Sequence, residues 1–80
     1  MKLAVYSIQN TLFEGEVESI TLPTLTGEIT VLDNHIPLIS LVNSGAIRYA
    51  CSGTKYAIKL SGGVLEVRPG SEVVILAESS

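Results

Sequence analysis

Turn-forming residues recur so often along this chain that no long helix fits between them. Seven glycines and three prolines divide its 80 residues, and the main uninterrupted pieces are 1–14, 16–22, 28–36, 38–44, 46–52, 54–61, 64–68 and 71–80. Proline removes a backbone donor and fixes φ, and glycine loses the most conformational freedom inside a regular element. The pieces between are rich in Val, Ile and Thr, whose branched side chains suit a pleated surface and are stiff in helices. None carries an i, i+3, i+4, i+7 apolar stripe with a cap at each end. Short β-branched runs with a turn signal at nearly every junction predict an all-β sandwich or barrel.

The individual runs agree. In Lys2–Ser7, Leu3 and Val5 share one face while Lys2, Ala4 and Tyr6 share the other. Glu14–Leu22 is predicted as one strand, ended by Pro23. Ile29–Leu32 follows Gly27, and Leu38–Val42 follows Pro37. Ala46–Cys51 and Tyr56–Leu60 flank Ser52-Gly53-Thr54, a hairpin turn, and Val64–Arg68 and Glu72–Leu76 flank the turn signal Pro69-Gly70. Gly62-Gly63 reads as a turn or bulge. About 8–10 short strands suffice for two stacked sheets enclosing one core. That core is predicted to include Val5, Val17, Ile20, Val31, Leu38, Ile47, Ile58, Leu65, Val67 and Ile75. With no linker, repeat or low-complexity tract, residues 1–80 are expected to form one domain.

Composition narrows the function. At 46% hydrophobic and 16% charged residues the chain is too apolar for a disordered tail. Its net charge is −3 and its five Lys and Arg are scattered, which argues against a nucleic-acid or anionic-lipid surface. The opening lacks the apolar core of a signal peptide, and the longest stretch without a charged side chain, Asn34 to Ile47, contains Pro37 and Gly45 and is no spanning helix. Cys51 is the single cysteine, which fits a reducing compartment. It reads as a buried inert thiol in preference to half of a Cys–His pair with His35, the single histidine. Glu14, Glu16 and Glu18 are placed for acid–base work or a hard cation, but a solvated strand face that discourages edge pairing is favoured. Gly62-Gly63 lacks the helix and Lys of a phosphate loop. No catalytic residue, cofactor or metal site is expected. His35, in the polar turn Leu32-Asp33-Asn34-His35-Ile36-Pro37, is either a structural loop residue or an interface contact. From its residues alone, the chain is a small β-sandwich that binds something.

Six segments, taken in order, resemble one family. Lys2-Leu3-Ala4-Val5-Tyr6-Ser7 is similar to a first strand ending in Ser, Thr or Pro, and Phe13-Glu14-Gly15-Glu16-Val17-Glu18-Ser19-Ile20 to F-x-G-x-V-x-x-[IV]. Thr26-Gly27-Glu28-Ile29-Thr30-Val31-Leu32 resembles G-E-[FL]-[GT]-[IV]-[LY], and Asn34-His35-Ile36-Pro37-Leu38-Ile39 resembles G-H-A-P-L-[LI]. Ser61-Gly62-Gly63-Val64-Leu65-Glu66-Val67 is similar to S-G-G-[FIV]-L-E-V, and Val73-Val74-Ile75-Leu76-Ala77 to V-T-[IV]-L-A. The family is the epsilon subunit of the F-type ATP synthase, called delta in mitochondria. The departures are Asn34, in place of the usual Gly before the histidine, Thr24-Leu25-Thr26, more apolar than the family's usual small or acidic residues there, and length. The family's C-terminal α-helical hairpin is expected to be absent, so its inhibitory switch and nucleotide site are not carried over.

The resemblance implies a non-catalytic central-stalk subunit of a proton- or sodium-translocating synthase, linking the gamma subunit to the c-ring within a complex that also holds alpha, beta and delta subunits. It implies no cofactor and no nucleic-acid partner. The implied location is peripheral, at the cytoplasmic face of the bacterial plasma membrane or its organellar counterpart, with membrane contact only through the complex. The implied c-ring contacts are Gly27, Glu28, Asn34, His35, Ile36 and Pro37, and the implied gamma contacts are Ser7 and His35. The competing reading is an unrelated small β-sandwich adapter.

Overall fold

Alternating β-branched and aliphatic residues give each strand one apolar face, and the fold places those faces against one another. The computed structural model describes residues 1–78 and contains no helix among them. Its strands are β1 (Lys2–Tyr6), β2 (Thr11–Glu16), β3 (Ser19–Thr24), β4 (Gly27–Val31), β5 (Leu38–Val42), β6 (Gly45–Cys51), β7 (Thr54–Leu60), β8 (Gly63–Arg68) and β9 (Glu72–Ala77). One layer runs β2-β1-β9-β8-β5. The other comprises β6 between β3 and β7, with β4 on the far side of β3. The layers are joined at the pair Thr24↔Val42, which makes one continuous sheet curled into a sandwich. Every pairing is antiparallel except β1 with β9.

The all-β sandwich expected from the sequence is therefore the fold found, with four local corrections. Glu14–Leu22 is not one strand but two. The Val17 amide bonds back to the Met1 carbonyl in one layer, while the Glu18 amide bonds to the Ala50 carbonyl in the other. The chain changes layers there, and the changed parity lets both Val17 and Ile20 be buried. Pro23 does not end its run, because β3 continues to Thr24. A strand residue directs its N–H and C=O to the same edge, and the Pro23 carbonyl accepts the Asn43 amide. The missing donor thus falls where β3 exchanges β6 for β5 as its neighbour. Leu38 and Ile58 are only partly buried, and pack against the core from its margin. The other expected core residues are buried, joined by Leu3, Leu22, Val42, Tyr49, Leu60, Val73 and Ala77.

Turn chemistry sets the registers. Ser52 and Gly53 both have positive φ and close the β6–β7 hairpin over the pair Cys51↔Thr54, as a two-residue hairpin turn requires. Gly63 is no turn residue. It lies inside β8, paired with Val42 on one side and Ala77 on the other, and a β-carbon there would run into the Leu76 carbonyl oxygen. Gly63→Ala is accordingly expected to force β8 and β9 apart and to cost about 1–3 kcal/mol. Urea denaturation read by circular dichroism checks this, and unchanged stability would show that the backbone relaxes freely.

Candidate protein-binding site

Leu32 to Pro37 form the longest connection between strands, and its shape follows from Asp33 and Asn34. Asn34 adopts φ 63°, which Asn tolerates better than most residues with a β-carbon. Its amide donates to the Ser71 hydroxyl at 3.3 Å, tying the loop to the β8–β9 turn. Asp33 lies 3.3 Å from the Met1 ammonium, which also meets Glu16 at 3.4 Å. Burial alone pulls that ammonium's pKa down, but the two carboxylates outweigh it and hold it above its usual value. The His35 amide donates to the Leu32 carbonyl, and His35 Nδ1 lies 2.7 Å from the Ile36 carbonyl oxygen. The histidine thus has loop partners of its own. Ile36 projects outward, 78% exposed.

Beside the loop, Pro37, Leu38 and Ile39 face Arg68 and Pro69 across an open groove of about 420 Å³. Ile39 is 73% exposed and Leu41 more than half exposed, because β5 turns Val42 toward the core and these two residues outward. These adjacent exposed aliphatics make the groove and loop the candidate protein-binding surface. Sequence reasoning singled out Ile36 but passed over Ile39 and Leu41. Their signal was the period-2 alternation of Leu38–Val42, hidden because both faces of that run carry apolar residues.

The other expected contact residues lie elsewhere. Gly27 and Glu28 open β4, so they stand at the opposite end of that strand from the His35 loop. Glu28 is a strand residue, and its carboxylate is engaged by Arg48 across the outer face of β3. Both side chains remain more than half exposed. Ser7 follows β1 and bonds with Asn10 in the β1–β2 turn. It is separated from the His35 loop by the length of β9, roughly 17 Å at ~3.3 Å per residue. The structure therefore groups Asn34, His35, Ile36 and Pro37, and leaves Gly27–Glu28 and Ser7 as separate patches.

The carboxylates Glu14, Glu16 and Glu18 share no site. Glu14 accepts the Tyr6 hydroxyl and raises that phenol's pKa, Glu16 meets the Met1 ammonium, and Glu18 accepts the Gly53 amide. Cys51 is half-buried, its thiol donating to the Glu16 carbonyl.

The loop's dependence on a left-handed residue is testable. Asn34→Val is expected to cost about 1–2 kcal/mol through backbone strain, while Asn34→Gly leaves stability nearly unchanged. Thermal melts of the two variants check this, and equal melting temperatures would contradict it.

Comparison with known proteins gives a consistent picture. The family model described as "ATP synthase, Delta/Epsilon chain, beta-sandwich domain" matches residues 1–80. The ATP synthase epsilon chain of Dehalococcoides mccartyi is 34% identical over 80 residues, covering 100% of this chain and 56% of that protein. The ATP synthase epsilon chain of Chromobacterium violaceum is 35% identical over 82 residues, covering 100% of this chain and 58% of its own length. The chain thus spans little more than half the length of these curated relatives. Among solved structures, a chain of the Euglena gracilis mitochondrial ATP synthase, in a structure of OSCP, F1 and c-ring, superimposes with a TM-score of 0.88 at 26% identity. That match covers 94% of this chain and 48% of the other. A chain in the central stalk and c-ring structure of the Tetrahymena thermophila mitochondrial ATP synthase shares the fold, with a TM-score of 0.81 at 12% identity, covering 98% of this chain and 63% of the other.

Proposed function

The chain belongs to the delta/epsilon β-sandwich family of ATP synthase subunits, and on that premise we propose that it is a non-catalytic piece of the rotor. It links the gamma subunit to the c-ring of a proton- or sodium-translocating F-type ATP synthase, within a complex that holds alpha, beta and delta subunits. It is held at the membrane only through that complex, at the cytoplasmic face in a bacterium or its counterpart in an organelle. The observation that carries this reading is the family match along all of residues 1–80. An unrelated sandwich adapter is not favoured, since it would not account for that match.

The mechanism is mechanical. A close-packed interior resists deformation, so torque applied at one surface of the sandwich reaches another without being absorbed as strain. Asn34, His35, Ile36 and Pro37 form one contact with the ring and Gly27–Glu28 a second, the two set apart by β4. Two spaced contacts resist rocking better than one. Ser7 and His35 meet gamma, and the outward aliphatic Ile39 adds apolar area beside the loop.

A purified gamma subunit is expected to form a stable complex with this chain that buries at least about 1,200 Å² in total. Size-exclusion chromatography of the mixture tests it, and separate elution at micromolar concentration would count against the assignment.

Charge reversal tests the ring contact. Glu28→Lys sets a cation beside Arg48, but both positions are exposed, so folding should change by under about 0.5 kcal/mol. At an interface the same reversal costs several kcal/mol. The expected result is a synthase that still hydrolyses ATP but pumps ions poorly. Wild-type pumping would remove Glu28 from the contact, and an unfolded variant would make it a structural residue.

A further inference from the structure

Strand β7 ends its layer, and its outer edge has no partner among the described residues. The hairpin turn makes Cys51↔Thr54 a hydrogen-bonded pair, and alternation makes Tyr49↔Tyr56 and Ile47↔Ile58 the next ones. The N–H and C=O groups of Lys55, Ala57 and Lys59 therefore point to the free edge. The strand is seven residues long, holds no proline, and pairs with β6 along its whole length in an unbroken register. It lacks the bulge, proline or brevity that blunts other edges.

The two faces of this edge differ. On the outer face, Arg48, Lys55 and Lys59 line up from β6 and β7, three of the chain's five Lys and Arg, against the acids Glu28 and Glu18. The outer face of the opposite layer carries Glu14, Glu16, Glu66 and Glu72 with Lys2 and Arg68. A chain of net charge −3 thus concentrates its positive charge beside one open edge. On the inner face, Tyr56 stacks on Tyr49 with ring centroids 5.4 Å apart, yet remains 48% exposed, and Ile58 is only partly covered. The sandwich is left open along this side.

We propose that the free edge of β7 is a docking site for an extended protein segment that alternates acidic and apolar residues and adds to the sheet as a further strand. Its backbone pairs with Lys55, Ala57 and Lys59. Its outward carboxylates, four residues apart, meet Lys55 and Lys59. Its inward side chains cover Tyr56 and Ile58. Lysines on an edge repel a second copy of the same edge, and the same charges select an acidic strand. This inference is independent of the gamma and c-ring contacts above.

The test uses the peptide acetyl-Thr-Glu-Val-Thr-Val-Glu-Thr-amide and the same peptide with Lys in place of both Glu residues. Amide NMR and hydrogen exchange on the chain are the readouts. The acidic peptide is expected to slow exchange of the Lys55, Ala57 and Lys59 amides by at least about tenfold and to bind more weakly as salt rises. The double variant Lys55→Glu, Lys59→Glu is expected to lose affinity for it by at least about tenfold and to accept the lysine peptide instead. Failure of the acidic peptide to bind at millimolar concentration would overturn the proposal. So would protection of amides elsewhere, or equal binding of the two peptides by the wild-type chain.

Discussion

The strand pairing of Thr24 with Val42 joins the two layers of this sandwich into one continuous sheet, and the rest of the architecture is arranged about it. Thr24 is the one buried polar residue of the described core, and its hydroxyl is fully engaged, donating to the Gly27 carbonyl at 2.7 Å and accepting the Thr26 amide. Asn43 closes the same corner, its amide bonding to the Pro23 carbonyl and its side chain to the Thr24 carbonyl. Without that corner β5 and β6 would continue in one plane. With it, β5 joins β8 and β6 joins β3, and the apolar faces of both rows turn inward.

Burial and exposure follow from the same arrangement. Interior positions are filled by aliphatic side chains of both layers, with Phe13 and Tyr49 in contact between β2 and β6 at a ring distance of 4.5 Å. Where the rows run out, apolar residues are left at the margins: Ile36 and Ile39 beside the long loop, Tyr56 beside the last strand. A rigid interior with sticky margins suits a part whose work is to hold other parts in register. Each of Glu14, Glu16, Glu18, Glu28 and Glu66 also has a partner within the molecule.

Much of this was legible in the residues, for identifiable reasons. Strand pieces were visible because glycine and proline fall at most junctions and because alternation within Lys2–Tyr6 or Val64–Arg68 is clean. What was hidden depends on distant parts of the chain. Glu14–Leu22 reads as one run because nothing local reveals that Val17 bonds to Met1 and Glu18 to Ala50. Pro23 reads as a stop because its tolerance depends on a change of neighbour on the far side of β3. Gly63 reads as a turn residue because the backbone that crowds it belongs to β9. At the site, Asn34 was legible as a residue that tolerates a left-handed backbone, and Ile36 through the resemblance of its loop to the family's G-H-A-P-L-[LI] segment. The exposure of Ile39 and the Glu28–Arg48 pair required the register of β5 and of β3 with β6.

The parallel pairing of β1 with β9 carries a kinetic consequence. Lys2–Tyr6 finds its inner neighbour only in Glu72–Ala77, so the first strand stays without that partner until the last is available. Closing so long a loop is entropically costly, and sheets dominated by such distant pairings fold slowly. On the ribosome, the β1–β2, β3–β4 and β6–β7 hairpins can each form from near neighbours before β9 is made, while Leu3 and Val5 still lack their β9 partner. The β1–β9 seam thus cannot close before β9 is made, and a stalled or shortened nascent chain leaves that edge of β1 unpaired.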